Sequence, residues 1–302
     1  MNYGQLPPLA GGLGRGLGLC TMDYELWTMD SELWTSTLNV GGRLMNLGEP
    51  RVMGILNLTP DSFYAESRAE TAEQVEQRCL QILAEGADII DVGACSTRPG
   101  AVAASEADEM ARLEAGLRVV RRVAPEAVVS VDTFRSAVAR RCVEEYGVQM
   151  VNDISGGAAD PDMFETVARL GVPYVLTYCE PVREDLLTEA LQFFGSSVRR
   201  LHALGVRDIV LDPGFGFGKT LEDNYRLMNR LQELAVLGLP MLVGVSRKSM
   251  IWRLLDCTPQ DALGGTTALN MLALTKGASI LRVHDVRAAV ETVKIWNEVA
   301  SF

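Results

Sequence analysis

Positive charge is in short supply in this 302-residue chain: 28 Lys and Arg stand against 39 Asp and Glu, a formal net charge of -11. The deficit argues against a surface built to grip a nucleic-acid backbone or an anionic membrane. An anionic ligand would need its cations gathered locally. Histidine is almost missing, with His202 and His284 the only two. The six cysteines include no C-x-x-C pair, which removes the usual zinc and redox motifs and favours reduced cytoplasmic thiols. No run of 18 apolar residues is free of polar breaks, so a spanning helix is excluded. The first 20 residues alternate Gly, Leu and Pro and lack the basic start and apolar stretch of a secretory signal. A cytoplasmic protein is expected. What is present is a hydrophobic share of 48% with 28 Gly and 12 Pro, ample for a large core and unlike a disordered or collagenous chain.

The first 36 residues differ from the rest. Gly11, Gly12, Gly14, Gly16 and Gly18 are not preceded by a strand, so they read as a flexible tail rather than a phosphate loop. A tandem heptad follows, TMDYELW at 21–27 and TMDSELW at 28–34, too short for a repeat fold. Residues 1–36 are expected to be a flexible extension, and 37–302 one catalytic domain.

In that domain, two short runs at 37–40 and 43–47 flank Gly41-Gly42, a hairpin signal. Strand patterns at 52–56, 89–92, 128–131, 150–151, 174–176, 209–211, 241–245 and 280–283 then alternate with helical patterns at 71–85, 105–123, 136–145, 161–170, 184–204, 221–237, 266–276 and 288–299. Eight such units over a length near the roughly 250 residues typical of the fold predict a (β/α)₈ TIM barrel closed at one end by the hairpin. A doubly wound open sheet is the second choice.

A barrel puts its chemistry at the C-terminal ends of the strands. Asn57, Asp91, Asp132, Asn152, Asp153, Asp212, Lys248, Arg282 and His284 all fall there or just beyond. Asp91, Asp132, Asn152, Asp212 and Lys248 together suit a flat heterocycle with amide and amino edges. Asp91 is assigned the plainer task of satisfying backbone N–H groups at a bend. Asn57, Arg247, Arg282 and His284 suit a diphosphate, although Arg282 and His284 could instead form a surface ion pair with Asp285 or Glu291. His202 reads as structural. Gly218-Lys219-Thr220 matches the end of a P-loop, but Pro213 stands where the first glycine belongs, so a flexible glycine loop with Phe215 or Phe217 as a stacking face is expected. Segments 59–64 and 96–100 read as lids over the mouth.

Eight motifs in order resemble those of the dihydropteroate synthase family of pterin-binding barrels: MGILNLTPDSF at 53–63, DIIDVG at 88–93, STRPG at 96–100, SVDT at 130–133, VNDI at 151–154, LDPGFGFGK at 211–219, VSRKSM at 245–250 and RVHD at 282–285. The resemblance implies condensation of (7,8-dihydropterin-6-yl)methyl diphosphate with 4-aminobenzoate, assisted by Mg²⁺, in a cytoplasmic homodimer that sulfonamides target. It implies that Asp132, Asn152, Asp212 and Lys248 hold the pterin and that Arg282 and His284 clamp the diphosphate with Asn57, also the metal ligand. Phe63, Thr97, Arg98, Pro99, Phe217 and Ser249 would form the aminobenzoate side. It further implies carbocation character, which Asp132 could stabilise, and direct roles for Lys248, Arg282 and His284 in the reaction.

Two departures stand out. Gly93-Ala-Cys-Ser96 replaces the family's Gly-Glu, and Thr177-Tyr178 replaces its Met-His-Met after the fifth strand. The alternatives are a pterin-dependent methyltransferase, which has no diphosphate to clamp, and a catalytically silent pterin-binding paralogue.

Overall fold

The structure, a computed structural model, describes residues 37–59, 68–95 and 104–302. The 1–36 extension and the lid residues Phe63, Thr97, Arg98 and Pro99 lie outside the described residues.

Gly41 and Gly42 take φ of +62° and +83°, the left-handed conformation that lets a two-residue turn match the twist of its strands. They join β1 (Thr37–Val40) to β2 (Arg43–Asn46) in an antiparallel pair. The remaining strands are β3 (Arg51–Asn57), β4 (Ile89–Gly93), β5 (Val128–Asp132), β6 (Met150–Asp153), β7 (Tyr174–Thr177), β8 (Ile209–Asp212), β9 (Met241–Val243) and β10 (Ala278–Val283). They form a closed parallel barrel in the order β10-β3-β4-β5-β6-β7-β8-β9, so the expected TIM barrel is the observed one.

The helices are α1 (Arg68–Ala84), α2 (Glu106–Val123), α3 (Ser136–Tyr146), α4 (Met163–Leu170), α5 (Leu186–Ala203), α6 (Leu221–Arg230), α7 (Ser249–Trp252), α8 (Leu263–Thr275) and α9 (Val286–Ala300). Local chemistry sets several ends. Ser105 and Asp185 accept hydrogen bonds from the backbone N–H groups of Asp108 and Thr188, satisfying donors that a helix N-terminus leaves open. The helix expected over 221–237 changes to a 3₁₀ helix at Leu231. The short α7 was not expected, because four residues are too few to show a helical period.

Strand alternation divides the core in two. Met53, Ile89, Val128, Met150, Val175, Val210, Leu242 and Ile280, one from each barrel strand, point inward and pack with Leu38, Val40 and Leu47 of the hairpin segment. The hairpin therefore plugs the N-terminal end, as expected. Residues one position along, such as Val52, Ile90, Val129, Val151 and Leu281, point outward and meet the helices. Burying each such side chain contributes about 1.5–3 kcal/mol, so both layers hold the strand register. Two residues beyond the inner apolar layer, the same face carries Asp91, Ser130, Asn152, Thr177, Asp212 and Arg282. Period two makes this polar layer the floor of the mouth.

Candidate active site

At the centre of that floor Arg282 bridges two carboxylates, Nε donating to Asp91 Oδ2 and Nη2 to Asp132 Oδ2, each at 2.6 Å. Asp91 is fully buried and also accepts from Asn152 Nδ2 at 3.0 Å. This corrects the plain role expected of Asp91. The loop-bend role belongs to Asp153, which accepts from the N–H groups of Ser155 and Gly157, both at 2.8 Å, and from the Tyr174 hydroxyl at 2.7 Å. Because its side chain points outward from β6, Asp153 can reach those partners without entering the mouth.

Four buried polar atoms in this layer have no hydrogen-bond partner: Asp91 Oδ1, Asn152 Oδ1, Ser130 Oγ and Thr177 Oγ1. Buried polar atoms are nearly always paired, so this grouping marks a place prepared for a polar ligand. Two open depressions on the outside of the barrel, lined in part by Glu165 and Arg169 and by Arg118 and Arg121, hold none of these atoms.

Lys248 reaches the site from the segment after β9. Its ammonium donates to the Phe215 carbonyl and lies 4.7 Å from the centre of the Phe217 ring. Burial pulls the Lys248 amine down to about 8, against the attraction of Asp212. Asp212, itself raised by burial, accepts from the Gly214 N–H at 2.8 Å. Burial likewise pushes Asp132 up to about 7, with Arg282 opposing and Asp91 reinforcing the rise. The floor thus holds one acid, Asp132, and one base, Lys248, whose charges are poised near neutrality.

His284 sits with Nδ1 3.1 Å from Ser246 Oγ. Burial and the neighbouring Arg282 lower it to about 4, so at neutral pH its ring is neutral and carries one N–H donor. Arg78 of α1 donates to the His284 carbonyl at 2.6 Å. Sequence reasoning passed over Arg78, which resembles any solvent-facing helical arginine until the fold brings it to the His284 carbonyl. Asn57 ends β3 in register with Gly93, and Gly93 with Asp132. A Cβ on Gly93 would stand 3.6 Å from Asp132 Oδ2 and 3.7 Å from Asn57 Oδ1, so this glycine leaves a hollow between the two oxygens.

Arg247 is a correction. It does not join the diphosphate group but grips Asp285 with both arms of its guanidinium, at 2.7 and 2.8 Å. Its φ of +54°, unusual for a side-chain-bearing residue, is held by this fork and by a backbone bond to Thr266 Oγ1. The strained turn leads directly into Lys248. The ion pair with Asp285 considered for Arg282 is thus Arg247's instead. Ser249, half-buried, opens α7 beside Lys248. His202 is exposed in the last turn of α5, away from the mouth.

The glycine loop after β8 is tied down rather than flexible. Lys219 Nζ donates to the carbonyls of Tyr178, Gly214 and Phe217 at 2.9, 3.0 and 3.1 Å. Gly214 takes φ +70° with room for no side chain, since a Cβ would fall 1.9 Å from the Tyr178 carbonyl oxygen. Thr220 caps α6 through reciprocal bonds with Asp223. Phe215 is buried in the core, which leaves Phe217, half-buried beside Lys248, as the face at the mouth.

The sequence profile described as pterin binding enzyme matches residues 53–284. The dihydropteroate synthase of Bacillus subtilis is 40% identical over 252 residues, covering 82% of this chain and 87% of that one. That of Escherichia coli strain K12 is 38% identical, covering 84% and 93%. This chain belongs to the dihydropteroate synthase family. A solved dihydropteroate synthase from Xanthomonas albilineans, in complex with 4-aminobenzoic acid, superposes with a TM-score of 0.81 at 36% identity, covering 88% of this chain and 99% of that one. All three of these relatives are dihydropteroate synthases, which leaves the methyltransferase alternative without support.

Proposed function

We propose that the chain condenses (7,8-dihydropterin-6-yl)methyl diphosphate with 4-aminobenzoate, releasing diphosphate and forming 7,8-dihydropteroate. The observation that carries this reading is the set of unpaired buried atoms at Asp91, Ser130, Asn152 and Thr177. Carboxylate and amide oxygens there accept from the N–H edges of a pterin, and Lys248 donates to its ring carbonyl. Asp132, Asn152, Asp212 and Lys248 hold the pterin. Arg282, His284 and Asn57 face its diphosphate, and Phe217 and Ser249, with Phe63, Thr97, Arg98 and Pro99, take the aminobenzoate.

The reaction breaks the bond between the methylene carbon and the diphosphate oxygen, its electron pair leaving with the diphosphate. The amine nitrogen then bonds the carbon and loses a proton to solvent. Charge separation is the barrier, so fixed charges at both poles lower it. Arg282 and the N–H of His284 stabilise the departing anion, and ionised Asp132 stabilises the positive charge shared by the ring. An aniline-type amine is already neutral at pH 7, so no strong base need precede attack, and no covalent enzyme intermediate forms.

Mg²⁺ fits this donor set. Among the described residues no group of three or more His, Cys, Asp or Glu forms a metal cage, while Asn57 offers one hard oxygen beside the Gly93 hollow. One protein oxygen completed by substrate phosphates is a common Mg²⁺ arrangement. When bound, the ion neutralises charge on the diphosphate.

A homodimer is supported by apolar side chains exposed on neighbouring elements: Leu254 and Leu255 after α7, Leu263 and Leu272 of α8, and Ile295 and Val299 of α9. A cytoplasmic setting is supported by free thiols at Cys79, Cys95, Cys142, Cys179 and Cys257. No helix among the described residues is long and apolar enough to cross a membrane.

The test is diphosphate release by the purified chain from the two substrates, with and without Mg²⁺, beside Lys248→Ala. Turnover that needs both substrates, rises with Mg²⁺, falls at least tenfold in the variant and is inhibited by a sulfonamide competing with aminobenzoate is expected. Absence of turnover in the unmodified protein overturns the reading.

A further inference from the structure

Strand β7 ends where the chain departs from the family pattern, and the two side chains there point opposite ways. Tyr178 turns outward onto Phe193 and Phe194 of α5, with ring centres 5.5 and 6.3 Å apart. Thr177 turns into the barrel on the same face as Val175, fully buried, and its hydroxyl has no partner. That is unlike other buried threonines here: Thr266 and Thr292 each donate to a carbonyl one helical turn back, at 2.8 and 2.7 Å. A buried hydroxyl left unpaired costs free energy that valine, of the same shape, would avoid.

Its neighbours say what would pair with it. Thr177 is in register with Asp212 on β8, and Val175, two residues before it on the same inward face, with Asn152 on β6; the hydroxyl therefore stands on the strand between theirs, beside Asp212 and one inward position beyond Asn152. The Asn152 amide is fixed in orientation, because its nitrogen faces the Asp91 carboxylate, which can only accept while ionised; its oxygen is therefore the free atom. A ligand group lying between the Asn152 oxygen and the Asp212 carboxylate must present several N–H bonds, as an amino group on a heterocycle does. A hydroxyl placed between them can accept one of those N–H bonds or donate to the adjacent ring nitrogen.

We propose that Thr177 is a further substrate-positioning residue of this chain, its hydroxyl hydrogen-bonding the amino-bearing edge of the pterin between Asn152 and Asp212. The assignment rests on the dihydropterin reading above and adds a specific polar contact to it. The ligand completes the pairing that the fold leaves open.

The experiment measures calorimetric binding of 6-hydroxymethylpterin to the full chain and to Thr177→Val and Thr177→Ser, with thermal unfolding of each in the absence of ligand. Loss of one hydrogen bond weakens binding by Thr177→Val about fivefold, while Thr177→Ser, which keeps the hydroxyl, stays within about twofold of the unmodified chain. Without ligand the valine variant unfolds at the same temperature or higher, because it loses an unpaired buried group. Equal binding by the valine variant, or unfolding several degrees lower, overturns the assignment and leaves the pterin reading standing. If the unmodified chain does not bind the pterin, both fall together.

Discussion

Asp91→Asn removes a single charge from the most crowded electrostatic point of the molecule and keeps the side chain's shape. The Asp91 carboxylate is fully buried, 2.6 Å from Arg282 Nε and 3.0 Å from Asn152 Nδ2. Charge centres about 4 Å apart attract by about 4 kcal/mol at an effective dielectric of about 20. Desolvation offsets part of that, yet removing one member leaves the other buried and under-compensated, which typically costs 3–5 kcal/mol. Asp132 keeps the guanidinium half paired, so the lower end, about 3 kcal/mol, is the expected loss. For a chain of this size that lowers the unfolding temperature by roughly 6–12 °C. A second readout separates this from ordinary destabilisation. The Asp91 charge helps hold Asp132 up at about 7; without it Asp132 ionises at lower pH. The acid limb of kcat/KM for diphosphate release should therefore move to lower pH, measured on protein shown to be folded by circular dichroism. An unfolding temperature within about 1 °C of the parent and an acid limb that does not move would together refute the account of the Arg282 bridge.

The free-enzyme pH profile should itself be narrow. Asp132 must be ionised, so activity falls as pH drops through about 7, and Lys248 must be protonated, so it falls again above about 8; a plateau in kcat/KM from pH 6 to 9 would contradict both assignments. Leu38→Ala, in the plug at the far end of the barrel, should cost about 2–5 kcal/mol of stability with KM for either substrate unchanged in steady-state assays at low temperature. Lys219→Met leaves three carbonyls of the glycine loop without their donor; KM for aminobenzoate should rise severalfold, and an unchanged KM would mean that the loop holds its shape alone.

The barrel was legible because two periods coincide in the sequence. Apolar runs with alternate residues facing opposite ways recur eight times between amphipathic stretches, and a polar residue closes most of them. The strand ends extend one residue further than the apolar runs suggest, at Asp132, Thr177 and Asp212, because the ladder continues through a polar residue when its side chain faces the mouth. The same period could have found Ser130, two before Asp132 and therefore on its face. Other features depend on which elements meet in three dimensions. Asp91 and Arg282 are 191 positions apart, and Arg78 touches His284 across 206; no local pattern announces such pairs. Arg247 was misjudged for the same reason, since its Asp285 partner lies on the far side of α8 in the chain.

The inward apolar side chains of the eight strands, with the hairpin packed beneath them, make the barrel a blind well with one opening. Two substrates and two products must share that opening, so whichever ligand occupies the floor blocks nothing, while whichever sits nearer the rim blocks everything beneath it. If the pterin sits on the Asp91, Asn152 and Asp212 floor, as proposed, it arrives before its partner, and the joined product is drawn out by the end that entered last. The route in and out is thus set by a packed layer of apolar side chains some distance from any reacting atom.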